Sequence, residues 1–166
     1  MMRSQLSRGL LAVALAGATL LGGAGIASAA PAAGQKPVDD YKGHWGQTYG
    51  FAKQNCTAFA AYRIVHRLGV KGFKNQWKGQ VFGDAGHWDN AARAAKLKVD
   101  NKPAVGAIAV NDVHKVGHVA YVNKVNSNGS FDVEEYNWNN PLHYGTRKGA
   151  KHGNGQAQFQ HFIHFK

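Results

Sequence analysis

The sequence is poor in cysteine: Cys56 is the only one among 166 residues. A single thiol excludes an internal disulfide framework. It leaves a small buried hydrophobe, a reactive thiol, or a bridge to another molecule. Acidic residues are also scarce, with 9 Asp and Glu against 20 Lys and Arg and a formal charge of +11. Such an excess suits anionic polymers, among them bacterial wall polymers, membrane surfaces and nucleic acid. The basic residues are scattered, however, without the tight runs or aromatic-rich motifs of a nucleic-acid binder. A long apolar run is missing too. The stretch from Gly9 to Leu21 is short and interrupted by glycine, which argues against stable membrane insertion. No internal repeat and no second domain can be read.

The N-terminus has the order of an export signal. Arg3 and Arg8 precede the apolar stretch, and Ala27, Ser28 and Ala29 supply small residues for cleavage. No adjacent arginine pair is present, so the general secretory route is expected. Residues 1–29 are thus expected to be a cleaved secretory signal peptide, 30–38 a flexible leader, and 39–166 one folded domain. Setting residues 1–29 aside leaves 137 of the 166, enough to bury a core without disulfides. The charge falls to +9 with the loss of Arg3 and Arg8. In an exported chain an unpaired thiol is an oxidation liability, which favours a reactive Cys56.

The stretch "NCTAFAAYRIVHRLG" (Asn55 to Gly69) predicts a helix. Phe59, Tyr62, Val65 and Leu68 recur near helical spacing, Asn55 is a candidate N-cap and Gly69 a stop. Lys71 to Gly86 lacks a period and reads as a loop. His87 to Val99 predicts a second, Ala-rich helix. Four strands are expected: Ala104 to Val110, Gly117 to Val125, Ser130 to Trp138, and Ala157 to Phe165. Asn128-Gly129 is a strong hairpin signal between the second and third. Helices followed by an antiparallel sheet define an α+β domain.

The hairpin also predicts neighbours. With Asn128 and Gly129 as the central turn residues, Val122 faces Glu135, Ala120 faces Asn137 and His118 faces Asn139. His118, Glu135 and Asn137 then share one face, provided that no one-residue bulge changes the parity. That face is either solvated or holds a histidine with orienting partners. Glu134 points the other way and reads as a surface charge. Cys56 lies at a helix start, where partial positive charge and free N–H groups favour a thiolate. A later histidine would complete a nucleophile and base. Two histidine pairs have spacings that invite zinc, His114 with His118 and His161 with His164. The first lacks the glutamate of a zinc protease motif. The second falls on opposite faces of a strand. No dense His/Asp cluster can be read, so no metal is expected. Tyr121, Tyr136 and Trp138 are either groove or core residues. Whether Arg63 forms an ion pair stays open.

The segments "NCTAFAAYRI", "HWDNAARAAKLKV", "PAVGAIAVNDVHKVGHVAYVNKVNSNGSFDVEEYNW" and "FIHF" together resemble a CHAP domain. This is the cysteine, histidine-dependent amidohydrolase/peptidase family, papain-like and related to NlpC/P60 enzymes. The resemblance runs from about Asp39 to Phe165. It implies a papain-like α+β fold, N-terminal helices packed on an antiparallel sheet, with 39–166 as a CHAP-type catalytic domain. It implies Cys56 as nucleophile, His118 as general base and acid, and Glu135 and Asn137 as the residues that orient the imidazole. The oxyanion would be held by the Cys56 N–H with Asn55 or Gln54; many members carry glutamine directly before the cysteine, where this chain has Asn55. Some members bind calcium in an Asp-rich loop near the cysteine. Here His44 to Asn55 contains no acid, so neither calcium nor another cofactor is expected. The implied function is a secreted or wall-associated peptidoglycan hydrolase, an endopeptidase or N-acetylmuramoyl-L-alanine amidase working through an acyl-enzyme. Its partners would be peptidoglycan and anionic wall polymers, not nucleic acid, and it would be a monomer. The alternatives are a thiol hydrolase of another amide and a non-catalytic basic wall-binding or antimicrobial protein.

Overall fold

A computed structural model describes residues 36–166. The expected signal peptide and most of the expected leader lie outside the described residues.

The first helix, α1 (Cys56–His66), starts where the sequence places it. Asn55 is extended, with φ −109° and ψ 163°, and its side-chain oxygen accepts from the Cys56 N–H. The C-terminus closes when Arg67 and Leu68 N–H both donate to the Arg63 carbonyl and Gly69 takes φ +69°, a left-handed turn that suits glycine. Residues Cys56 to Ile64 are all buried, so α1 is a central helix rather than an amphipathic surface one. Ala60, Ala61 and Ile64 pack with Ile108, Val110, Val119 and Tyr121 of the sheet. Ala58, Phe59 and Tyr62 pack with Tyr41 from the preceding loop and with Tyr136.

The segment from Lys71 to Gly86 is not only loop. It contains a small hairpin, β1 (Gln76–Trp77) and β2 (Gln80–Val81). Lys78 and Gly79 turn it with φ +49° and +73°, as a tight two-residue hairpin requires. A 3-10 turn at Ala85–His87 then leads into α2 (Trp88–Ala94). This helix is shorter than expected. Lys96 takes φ +63° and the chain turns into β3 (Lys98–Asp100). Lys98 and Val99 pair with His164 and Ile163, so sheet pairing overrides the helical pattern there.

The main sheet is antiparallel, in the order β3-β8-β4-β5-β6-β7. Its remaining strands are β4 (Ile108–Asn111), β5 (His118–Val125), β6 (Phe131–Tyr136), β7 (Tyr144–Ala150) and β8 (His161–His164). The edge strand β7 is absent from the sequence reading. It is mostly polar and partly exposed, with little apolar alternation, so it carries no half-buried strand signal.

The hairpin register differs from the expectation. Val125 pairs with Phe131 and Lys124 with Asp132, and a bulge at Asn123 then makes Val122 pair with Val133. The longer turn shifts the register by one residue and the bulge by one more. Two single shifts restore the parity, so His118 and Glu135 still project from the same face.

Candidate active site

His118 opens β5 directly after Gly117, and its neighbourhood depends on two glycines. Gly117 has φ +66°, and a Cβ there would lie 2.3 Å from Gly86 N and 2.6 Å from the Asn111 carbonyl. The Gly86 N–H donates to the Val116 carbonyl at 3.0 Å. The turn before α2 therefore lies directly against the start of β5.

His118 shares its parity with Ala120 and Val122, which pack in the core on the sheet face away from α1. Val119 and Tyr121 point to the α1 side. The imidazole thus meets Cys56 at the end of the strand, beside the helix N-terminus. Cys56, His118, Asn55, Asn137 and Trp138 line one cleft of about 390 Å³. A second hollow of about 550 Å³, lined by Tyr49, Val65, Phe73 and Val81, adjoins it; both include Gly50 and Asn75. The thiol and imidazole lie only in the smaller one.

The ring of His118 is 2.9 Å from Glu135 Oε2 through Nε2. Glu135 also accepts from Arg147, at 2.9 Å from Nε to Oε1 and 2.8 Å from Nη2 to Oε2. Arg147 is fixed in turn by the Ala157 carbonyl at 2.8 Å and lies over the rings of Trp138 and Phe159. Burial opposes charge on Glu135, yet the bonds from His118 and Arg147 outweigh it and hold the carboxyl below its ordinary value of 4.5. An ionised carboxylate only accepts, so His118 Nε2 carries a proton and donates it. That leaves Nδ1 for the sulfur. Burial works against charge on His118 as well, but the neighbouring Cys56 sulfur and the Glu135 carboxylate prevail and raise it above its ordinary 6.5. Trp138 packs 4.7 Å from the His118 ring, centroid to centroid.

The other expected residues are placed differently. Asn137, with φ +57°, does not bond the imidazole: its oxygen accepts from Leu142 N–H at 2.9 Å and its amide donates to Asn55 Oδ1 at 3.4 Å. Gln54, half-buried and with φ +54°, donates to the Leu142 carbonyl at 3.3 Å and does not line the cleft. The Cys56 N–H, expected to face an oxyanion, is bonded to Asn55 Oδ1 at 2.7 Å. Because Asn55 Oδ1 accepts from both the Cys56 N–H and Asn137, the free donor of that side chain is Nδ2. Arg147 escaped the sequence reading because its strand did.

Glu134 is fully buried, which corrects its reading as a surface charge. On the α1 side of the sheet it accepts from Arg63 Nη2 at 2.9 Å, Arg67 Nη1 at 2.6 Å, Tyr144 OH at 2.7 Å and Val38 N–H at 3.1 Å. Arg63, left open from sequence, also bonds Asp40. Tyr121 and Tyr136 are core residues, whereas Trp138 lines the cleft. Asp39 accepts from the Tyr136 hydroxyl and the Lys42 N–H.

Fold and site together define an α+β domain with a thiol and an imidazole in one cleft and a buried carboxylate bonded to that imidazole. The family model described as CHAP domain matches residues 44–137. The chain belongs to the CHAP domain family. The N-acetylmuramoyl-L-alanine amidases sle1 of Staphylococcus aureus strains USA300 and COL are each 44% identical to it over 96 residues, 57% of this chain and 24% of theirs. The chain thus spans about a quarter of the length of these relatives. A crystal structure of an N-acetylmuramoyl-L-alanine amidase from Staphylococcus aureus superposes with a TM-score of 0.50 at 25% identity, over 67% of this chain and 30% of that one.

Proposed function

We propose that this protein is a secreted cysteine-dependent peptidoglycan hydrolase, cutting amide bonds of wall peptides or the link between muramic acid and L-alanine. The observation that carries the proposal is the shared cleft of Cys56 and His118, with His118 braced by Glu135 and Arg147. The amidases to which the chain is similar support the substrate class.

In this reading His118 Nδ1 takes the Cys56 proton and the thiolate attacks the amide carbonyl. The imidazolium then protonates the leaving amine, and the neutral ring activates the water that hydrolyses the thioester. Glu135 keeps the ring in its Nε2–H form and stabilises the imidazolium. We assign the oxyanion contact to Asn55 Nδ2, with the Cys56 N–H joining when the developing charge displaces Asn55 Oδ1. Asn137 positions Asn55 rather than the imidazole. The adjoining hollow extends the cleft for a longer peptide. Export rests on residues 1–29, and no helix among the described residues is long and apolar enough to cross a membrane. The basic charge holds the enzyme on anionic wall polymers.

Purified peptidoglycan provides the test. Wild-type protein is expected to release new amino groups, and mass spectrometry of the fragments identifies the bond. Cys56→Ala should lose this activity while its circular dichroism stays native. Undiminished degradation by that variant would eliminate thiol catalysis. Wall binding without degradation by the wild type would favour the non-catalytic basic protein, whereas cleavage of other amides alone would redirect the substrate.

A further inference from the structure

A second group of side chains gathers outside the cleft. Asp89 from α2, Asp112 just after β4 and His161 at the start of β8 each present one ligand atom, all within 4.8 Å of one another. Their separation in sequence hides the group from any spacing motif, and the expectation of no dense His/Asp cluster is corrected here. His161 Nε2 lies 3.4 Å from Asp112 Oδ2 and 3.8 Å from Asp89 Oδ2. Ligand atoms around a tetrahedral zinc ion at ordinary bond lengths are about 3.4 Å apart. The two separations from His161 are thus close to what one cation requires, and the two carboxylates lie within 4.8 Å of each other.

A separate observation points to a ligand. The Asp89 side chain is 4% exposed, and its Oδ1 is buried without any hydrogen-bond partner. An unpaired buried carboxylate oxygen is costly. It belongs to the same carboxylate whose Oδ2 faces His161, so a cation held by Oδ2 lies within bidentate reach of Oδ1. Asp112 is preset as well: its N–H donates to Gln160 Oε1 at 3.0 Å. Asp112 and His161 are 28% and 31% exposed, which leaves a path from solvent and room for a water ligand.

We propose that Asp89, Asp112 and His161 form a divalent-cation site of the zinc type that ties α2 to the sheet. Arg93 is its gate. The guanidinium bonds Asp89 Oδ2 and lies 3.4 Å from His161 Nδ1. Arginine only donates, so in this arrangement Nδ1 accepts and the ring proton sits on Nε2, facing the carboxylates. Metal binding needs the Nε2 lone pair. The ring proton therefore shifts to Nδ1, and Arg93, 43% exposed, swings into solvent. The site uses none of the groups assigned to amide hydrolysis.

Titration of chelator-treated, untagged protein with zinc chloride in a calorimeter tests the proposal. One equivalent should bind saturably, and the melting temperature should rise with zinc concentration. Asp112→Asn and His161→Gln, both at partly exposed positions, should each weaken binding by more than about tenfold and remove the thermal shift. Arg93→Ala should bind at least as tightly as wild type. Absence of saturable one-to-one binding overturns the site, as does wild-type affinity in both ligand variants or weakened binding in Arg93→Ala.

Discussion

At the scale of single residues, Glu135 and His118 have opposed titrations. Glu135 is held below its ordinary 4.5, so its stabilising contribution is present above that pH and is lost as pH falls through the lowered value. His118 is raised above 6.5, so its contribution is complete below 6.5 and is lost as pH rises through the raised value. Thermal melts should therefore show stability falling toward both acid and alkali. His118→Gln should flatten the alkaline decline, and an unchanged alkaline slope would mean that another group causes it. Asn55 allows a second separation. Asn55→Ala loses a helix cap, about 1 kcal/mol, and the proposed oxyanion donor. A fall in kcat much larger than the stability loss would support the oxyanion assignment, and unchanged kcat would remove it.

Between elements, the site depends on strands meeting closely. Gly117→Ala would force a Cβ to within 2.3 Å of Gly86 N at φ +66°. Backbone cannot yield as a flexible side chain can, so a loss of about 2–4 kcal/mol is expected in denaturant melts. Arg147 shows what β7 supplies. Arg147→Met leaves a buried carboxylate with fewer partners and is expected to cost about 2–4 kcal/mol while lowering kcat more than KM changes. The sequence showed β5 and β6 because β5 carries a continuous apolar run, the start of β6 has apolar alternation, and an Asn-Gly turn joins them. It concealed β7, since a polar edge strand has no such alternation, and so concealed Arg147. The face shared by His118 and Glu135 was legible although the register was not, because the turn and the bulge at Asn123 offset one another in parity.

Across the whole molecule, two adjacent glutamates divide the sheet. Glu134 faces the α1 side with Arg63 and Arg67, and Glu135 faces the other side with Arg147 and His118. Val38 is drawn into the first network through both its N–H and its carbonyl. Glu134→Gln leaves two arginines buried beside a neutral group and should destabilise the fold by about 3–5 kcal/mol, as measured by urea unfolding. The basic surface acts over a longer range. Retention on isolated walls should fall as salt is added, since exposed charges are screened within about 10 Å at 0.1 M salt; salt-insensitive retention would exclude charge as the anchor.

The resemblance to the CHAP family matched the lone thiol with His118, and the sequence by itself determined the α1 start, the hairpin and the α+β class. These rest on local signals: a cap, an apolar period, an Asn-Gly turn. Only the tertiary structure decided which partners those residues have. It buried Glu134, turned Asn137 toward Asn55, brought Arg147 to Glu135, and gathered Asp89, Asp112 and His161. Each of these contacts joins polar side chains from separate parts of the chain. Their positions follow from sheet order and close packing, which no local pattern encodes.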